Sequence, residues 1–398
     1  MRIAMISEQA ASLDAGGRHV IELAAALAEL GHDVRVYTRR DDPTPPDVGR
    51  APGGVAVLRV PAGPARAVPV QARLPYLGEF ARRLGGSWRD GDWAPAVVHA
   101  HFWTSGLAAV TAARRIGVPV VQSFYELGAG RGPDAADPGG AGPSRAGYER
   151  ALGRAVDRVV ARSQYEVREL VDRGVPRPRV TFVPAGVDSR RFTPEGTVAH
   201  RDPHRPRVLA VGRLAGGTGL GDVVRAMRSV PGAEFLLIGG PPAAGLPDDP
   251  YAGRLRQLAL SCRVADRLRL VGAVTPADLP GWYRSADVFV AAPGQDRFET
   301  APLEAMACGV PVVGVASGAL TETVVDGLTG DLVPPADPGA LGSALRRLIS
   351  DRVRRFAYST AAVDRARQAY SWQRAAAQVE AVYAATAEGV PVDDEAVA

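Results

Sequence analysis

Lysine does not occur in this 398-residue chain: all 47 basic side chains are arginine, set against 43 acids, for a formal net charge of +4. Biased coding accounts for the substitution. The arginines are dispersed among the acids and form no Lys/Arg block interleaved with aromatics, which argues against a nucleic-acid surface and leaves anionic small ligands open. Cysteine is nearly absent too. Cys262 and Cys308 stand far apart without histidines at metal-ligand spacing, so neither a disulfide framework nor a zinc site is indicated. Both read as buried thiols. No apolar run approaches the ~20 residues of a membrane span, and the opening Met1-Arg-Ile-Ala-Met-Ile-Ser enters a strand pattern with none of the parts of a signal peptide. A soluble, cytoplasmic protein is expected, without nucleic acid or membrane as partner, as a monomer or homodimer.

What is present is globular: 46% apolar and 23% charged residues, and a length that fits two domains. Apolar runs bounded by glycine and proline alternate with helical-period segments, the pattern of strand-helix-strand units and a parallel sheet. Strands are expected near Ile3–Ile6, Val34–Tyr37, Val55–Val60, Val97–His99, Val118–Gln122, Arg158–Ala161 and Val180–Val183. A second series lies near Val208–Val211, Phe235–Ile238, Leu268–Val271, Val288–Ala291 and Val312–Gly314. The helix Gly17–Leu30 turns Val20, Leu23, Ala24, Leu27 and Leu30 to one face and ends at Gly31.

The polar stretch Thr193–Arg207 is expected to divide the chain into residues 1–192 and 193–370. From Asp337 to about Ala385 the pattern is helical, and residues 371–398 form a last helix that crosses back to the first domain, with a frayed tail from Glu388. Gly128–Gly147, rich in Gly, Pro, Asp and Ala, reads as a mobile loop.

Ligands of open parallel sheets bind beyond the carboxyl ends of strands, and four segments there carry chemistry. Asp14-Ala-Gly-Gly-Arg-His-Val puts Gly16 and Gly17 before a helix, where backbone amides and the helix dipole favour an anion; a tight strand-to-helix turn is the plainer alternative. In Val97-Val-His-Ala-His-Phe-Trp two histidines alternate at a strand end. They share a face if the strand continues and part if it bends after His99, with one in the core and the other at a cleft. Val208-Leu-Ala-Val-Gly-Arg-Leu ends a buried strand on Gly212 and sends Arg213 out, as a two-pronged diphosphate donor or a surface ion pair. Asp296-Arg-Phe-Glu-Thr-Ala-Pro-Leu-Glu304 follows the strand Val288–Ala291 and places two carboxylates eight residues apart around a helix start at Pro302, with Leu303, Met306 and Ala307 buried. One acid is then free to hold a sugar hydroxyl and the other a ribose, with helix amides meeting the phosphates between them.

Together with Val36-Tyr-Thr-Arg-Arg-Asp-Asp-Pro, Val183-Pro-Ala-Gly-Val-Asp and Pro302-Leu-Glu-Ala-Met-Ala-Cys-Gly-Val-Pro-Val-Val, these segments resemble the family-4 retaining glycosyltransferases of the GT-B fold over nearly the whole chain. The nearest branch resembles the inositol-phosphate N-acetylglucosaminyltransferase of mycothiol synthesis. The resemblance implies an α/β fold of two Rossmann-like domains with parallel sheets facing across a cleft, a nucleotide-sugar donor, UDP-linked in most of this branch, and neither metal nor other cofactor. It implies Arg213 on the diphosphate, Glu304 on the ribose, Asp296 on a hydroxyl of the transferred sugar, and His101 near the reacting carbon. Gly16 and Gly17, Thr218, Phe298, Glu299, Thr300, Ala301 and Pro302 fall in its donor-binding segments. Glu8, Asp14, Tyr125 and Glu126 fall on the acceptor side.

The departures are informative. Thr218 stands where the family supplies a lysine five residues beyond the arginine, and one phosphate cation is lost. The branch's Phe-His after the fifth strand is here Phe124-Tyr125-Glu126, and the glycine of its Glu-Pro-Phe-Gly loop is Glu299. Val70, within Val68-Pro-Val-Gln-Ala-Arg-Leu-Pro, takes the place of the lysine that meets an acceptor phosphate. Added acids with a lost cation fit a neutral or cationic acceptor, an aminocyclitol or pseudodisaccharide as in aminoglycoside assembly of the kanamycin or gentamicin type. An inositol-type or other natural-product acceptor is one alternative. A degenerate, non-catalytic partner of an active transferase, for which Thr218 argues, is another. A nicotinamide oxidoreductase is disfavoured, because no Gly-x-Gly-x-x-Gly turn follows the first strand.

Overall fold

A computed structural model describes residues 1–8, 15–125, 127–128, 144–291 and 300–389, which fall into two compact units, Met1–Gly186 with Trp372–Ala398 and Val187–Ser371. The first unit runs β1 (Arg2–Ile6), α1 (Ala15–Glu29), β2 (Asp33–Arg39), β3 (Val48–Arg50), β4 (Ala56–Val60), α2 (Leu74–Arg89), β5 (Val97–His101), α3 (Trp103–Ala113), β6 (Val120–Ser123), α4 (Arg145–Ala155), β7 (Arg158–Ala161), α5 (Gln164–Asp172) and β8 (Val180–Phe182). Its sheet has the order β3-β4-β2-β1-β5-β6-β7-β8, parallel except for the antiparallel β3 edge. Central strands are buried on both faces, which is why Ile3–Ile6 reads as an unbroken apolar run and why both histidines of Val97–His101 are buried.

The second unit runs β9 (Arg207–Val211), α6 (Leu220–Ala226), β10 (Glu234–Ile238), α7 (Pro250–Ser261), β11 (Leu268–Gly272), α8 (Leu279–Arg284), β12 (Val288–Ala291), α9 (Thr300–Ala307), β13 (Val312–Val315), α10 (Leu320–Thr323), β14 (Gly330–Val333), α11 (Pro338–Ser350) and α12 (Arg352–Ala369). The order β11-β10-β9-β12-β13-β14 is all-parallel and matches the doubly wound nucleotide-binding arrangement. At the amino end of this sheet the fully buried Arg207 donates to Glu234 at 2.7 Å and to the Ser285 hydroxyl at 2.8 Å, so the charge is paired rather than stranded.

The last helix, α13 (Trp372–Glu388), returns to the first unit. Trp372, Ala375, Ala376, Val379, Val382 and Tyr383 share one apolar cluster with Ile3, Met5, Val20 and Leu27, and the Trp372 indole donates to Glu22 of α1 at 3.0 Å.

Several expectations are corrected. The division falls at Gly186–Val187, not in Thr193–Arg207, because Arg284 of α8 holds the carbonyls of Thr193 and Thr197 while Arg201 holds that of Ser285, tying the polar stretch to the second unit. Leu30 is exposed. Helix α1 stops at Glu29, and His32 and Gly31 donate to the carbonyls of Leu27 and Ala28 in a Schellman turn that takes Leu30 off the apolar face. Arg145–Gly147, assigned to a loop, open α4, capped by the Ser144 hydroxyl; the remainder of that stretch lies largely outside the described residues, as does the tail beyond Gly389. Cys262 is half-buried, and only Cys308 is buried.

Strands β3 and β14 escaped detection. The first is a three-residue edge, and the second starts on Gly330 and buries Asp331, whose charge is met by Arg347, Arg354 and the Tyr358 phenol.

Gly239 ends β10 at φ 130°, and a Cβ there would stand 1.9 Å from the Gly212 carbonyl oxygen at the end of β9. Gly239→Ala is therefore expected to lose about 3 kcal/mol or more in urea unfolding, against about 1 kcal/mol for Gly232→Ala, where φ is also positive but no atom lies within 4 Å.

Candidate active site

In both sheets the strand order reverses beside the first strand, between β1 and β5 and between β9 and β12. Loops leaving these neighbours diverge and open a crevice at the carboxyl edge. Those residues singled out from sequence that the structure describes lie at or beyond the carboxyl ends of strands in these two sheets.

In the first unit β5 does not bend after His99; it runs on through His101, so both imidazoles lie on one face with ring centroids 4.1 Å apart. Their surroundings differ. His99 is bonded at both nitrogens, Nδ1 to the Tyr383 phenol of α13 at 2.7 Å and Nε2 to the Ser123 hydroxyl of β6 at 3.0 Å. His101 Nδ1 meets the Tyr125 phenol at 2.5 Å, and its Nε2 is buried with no hydrogen-bond partner among the described residues. A buried polar atom left unpaired in this way has either a strain or a functional reason.

The backbone around this pair is strained. Phe102 (φ 71°) and Tyr125 (φ 66°) are non-glycine residues in the left-handed region, directly after β5 and just beyond β6, with rings 4.8 Å apart. Tyr125 is buried under the Arg162 guanidinium, 4.7 Å from its ring centroid, and meets His19 of α1 edge-on at 5.1 Å. Its hydroxyl, assigned from sequence to the acceptor, is engaged with His101.

Burial lowers the pKa of all three imidazoles: His99 falls to about 3, while His19 and His101 lie well below the ordinary histidine value, helped by Arg162 and His99 for the former and by His99 and His19 for the latter. Burial raises Tyr125 in spite of Arg162. The cluster is neutral in the folded protein.

Glu8, two residues beyond β1, is also buried. Its amide donates to the Ser105 hydroxyl at 3.0 Å, yet neither carboxylate oxygen accepts a well-formed hydrogen bond among the described residues; Arg73 Nη1 stands 3.9 Å from Oε2 and is itself without one. Burial pushes this carboxyl up, against the opposing pull of Thr104, Arg73 and Arg39. Arg39 is committed elsewhere, to the carbonyls of Arg40, Pro64 and Arg66, so Arg73 is the nearer cation. Sequence reasoning stopped at Val70, one turn earlier in the same stretch.

In the second unit Arg213 is exposed directly after Gly212 at the end of β9. The Thr218 hydroxyl donates to the Ala215 carbonyl at 2.7 Å and so closes its own turn. Thr300, Ala301 and Pro302 form the first turn of α9, and Leu303, Met306 and Ala307 are buried. Glu304 is buried and accepts the Tyr283 phenol at 2.7 Å, which fixes one face of its carboxylate. Gly16 and Gly17 open α1. Asp14, Glu126, Asp296, Phe298 and Glu299 lie outside the described residues.

Residues 15–186 match a family described as a glycosyl transferase 4-like domain, and residues 205–351 match glycosyl transferases group 1. D-inositol 3-phosphate glycosyltransferase 1 of Catenulispora acidiphila is 34% identical over 94% of this chain and 92% of its own length, and the D-inositol 3-phosphate glycosyltransferase of Xylanimonas cellulosilytica is 34% identical over 96% of each. The chain belongs to the glycosyl transferase 4-like and group 1 family. Among solved structures, sucrose-phosphate synthase from Thermosynechococcus elongatus superposes with a TM-score of 0.83 at 26% identity, covering 96% of this chain and 98% of that one. Anabaena HepE in complex with UDP and glucose gives 0.74 at 16%, covering 97% and 100%. This glycosyltransferase accordingly has the GT-B fold of two parallel-sheet α/β domains, and among the described residues no helix is long and apolar enough to cross a membrane.

The neutral histidines make the first unit acid-sensitive. Above pH ~6.5 folded and unfolded chains bind equal numbers of imidazole protons; below it the unfolded chain takes up protons that buried His19, His99 and His101 refuse, so stability is lost as pH falls, by about 1.4 kcal/mol per pH unit for each. Glu8, Glu149 and Glu166, raised by burial, act in the opposite sense as the pH nears the carboxylate range. Urea unfolding read by tryptophan fluorescence, with four of the five tryptophans in this unit, is expected to weaken from pH 6.5 to 5.5. His99→Gln should flatten that dependence, and a pH-independent wild type would contradict burial of neutral rings.

Proposed function

We propose that this glycosyltransferase moves a hexosyl or amino-hexosyl group, with retention and without a metal or other cofactor, from a nucleoside diphosphate sugar, UDP-linked first, to a hydroxyl of a small cyclitol-type acceptor. The observation that carries the donor half is the pair of groups at the β9/β12 edge: an arginine leaving β9 and a carboxylate held in the first half of α9 by a buried phenol. Arg213 matches a diphosphate as a two-pronged donor, and Glu304 matches the paired hydroxyls of a ribose. The amides of Thr300 and Ala301 add the positive end of α9.

In this reading the sugar's anomeric C–O bond to the diphosphate breaks as the acceptor oxygen bonds to the same face. The acceptor proton passes to a phosphate oxygen of the leaving nucleotide, so no carboxylate nucleophile is required. Arg213 and the α9 amides stabilise the charge that develops on the departing diphosphate. Asp296 holds a hydroxyl of the transferred sugar.

The names of the relatives favour a cyclitol, and two observations bear on its charge. Val70 at the place of a phosphate-binding lysine, with the unsatisfied Glu8 carboxylate, favours an aminocyclitol or pseudodisaccharide. Arg73, close to Glu8, supplies an alternative counter-charge and favours inositol phosphate.

Calorimetric titration with UDP, GDP and dTDP, followed by transfer to inositol, inositol phosphate and aminocyclitol panels, tests both halves. UDP binding with transfer is the expected result; binding without turnover would instead make the chain a degenerate partner, and no nucleotide binding would remove the donor assignment. Glu304→Ala is expected to weaken nucleotide binding about 10- to 100-fold, the loss of charge-assisted hydrogen bonds. Thr218→Lys should tighten it up to about tenfold by restoring a phosphate cation. Arg73→Ala separates the acceptor readings: it raises KM for inositol phosphate if that is the acceptor, and leaves KM for an aminocyclitol unchanged or lower.

A further inference from the structure

Tyr283 of α8 is fully buried, and its ring is closed in by Phe192 and by Phe289 of β12, each with its centroid 5.8 Å away. A phenylalanine would fill that space as well. The hydroxyl is what packing does not require, and burying one costs free energy unless it is hydrogen-bonded. It donates to Oε2 of Glu304 on α9 at 2.7 Å.

The helix that delivers the phenol is tied down on its next two residues. Arg284 donates to the carbonyls of Thr193 and Thr197, directly after Phe192 in sequence, and the Ser285 hydroxyl accepts from buried Arg207 and donates to the Trp282 carbonyl. The phenol therefore comes from a fixed base. Glu304, by contrast, stands on a helix of eight residues at the end of a side chain with several rotatable bonds, whose freedom is lost when the carboxylate meets two hydroxyls at once. Freezing that side chain beforehand leaves less entropy to be lost on binding. A carboxylate offers about four lone-pair sites, so accepting the phenol does not exclude accepting ribose hydroxyls too.

We propose that Tyr283 is a positioning residue for the donor: through its hydrogen bond to Oε2 it holds the Glu304 carboxylate in the orientation that reads the 2′- and 3′-hydroxyls of the nucleotide's ribose, without itself touching the nucleotide. This rests on the proposed donor site, in which Glu304 meets the ribose. Phe192 and Phe289 act one step further back, by holding the ring.

Calorimetric titration of the full chain with UDP and with 2′,3′-dideoxy-UDP separates positioning from packing, because the two share base and diphosphate and differ only at the hydroxyls. The wild type should bind UDP about 10- to 100-fold more tightly than the dideoxy form. Tyr283→Phe is expected to weaken UDP about tenfold and to leave dideoxy-UDP within about twofold. In a Glu304→Ala background the same substitution should change neither. An equal loss for both nucleotides, or an undiminished preference for UDP in folded Tyr283→Phe, would make the phenol a packing group and overturn the inference. Should Tyr283→Phe not fold, Phe192→Leu, which keeps the phenol and loosens its ring, is read in its place: a reduced preference for UDP is expected, and a full one overturns.

With UDP-glucose or UDP-N-acetylglucosamine as donor, Tyr283→Phe should raise the donor KM about tenfold with kcat within about twofold, as for a contact equally strong in the ground and transition states. A fall in kcat at unchanged KM would overturn the role. A wild type that binds UDP and its dideoxy form alike removes the ribose assignment and this inference with it. A wild type that prefers UDP, beside a Tyr283→Phe variant that prefers it as strongly, leaves the donor site standing and removes only the role of Tyr283.

Discussion

Two imidazole rings 4.1 Å apart on one buried face of β5 cannot both be charged, and the first unit is arranged around keeping them neutral. A proton on either ring would be buried close to a third imidazole, His19, with no carboxylate hydrogen-bonded to any of the three among the described residues. Neutral rings need hydrogen bonds rather than counter-ions, and those come from hydroxyls: Tyr383, Ser123 and Tyr125. The residue types around β5 follow from that need. So does the use of α13, the last helix in the chain, to close the apolar face of a sheet whose first strand is the first element. Its Tyr383 hydroxyl meets His99 Nδ1, while Ser123 of β6 meets Nε2.

The same constraint links packing to chemistry. Trp372 fills the space in front of Gly186, where a Cβ would lie 2.4 Å from the indole, and its ring lies 4.9 Å from His19. Within the first unit, Gly186 and the start of α13 are therefore packed against the buried histidine cluster. The left-handed backbone at Phe102 and Tyr125 opposes this order locally. It persists because α3 begins at Trp103 and the Phe102 amide is held by the Ser123 carbonyl at 2.9 Å, so the strands determine the conformation of the residues that follow them.

Much of this was legible in the sequence, and the parts that were not share a cause. Strands with both faces buried announced themselves through apolar runs, and the match at Arg158–Ala161 and Val288–Ala291 is complete. Strand β14 did not, because its polar residue is satisfied by arginines sixteen and twenty-three residues further along. The boundary was placed late because Thr193–Arg207 has linker composition; only the arginines of α8 and of the stretch itself, acting across space, make it part of the second unit. For the site, Gly212-Arg213 and the start of α9 stood out because their chemistry is local. Arg73 and Tyr383 carried no local signal, since each matters through a partner, Glu8 or His99, that is distant in sequence.

The two departures from the family pattern that concern cations lead to different conclusions once geometry is considered. Thr218 is occupied: its hydroxyl closes the turn before α6, and nothing in that contact replaces an ammonium. Val70, by contrast, is followed one turn later by a guanidinium with an unbonded nitrogen facing a buried carboxylate. An arginine–carboxylate pair at 3.9 Å is too long for a hydrogen bond and too close for independence, at a separation that a hydroxyl can bridge by donating to the carboxylate and accepting from the guanidinium. A polyol presents donors to the carboxylate and acceptors to the guanidinium at once. A simple cation or a simple anion would satisfy only one of them.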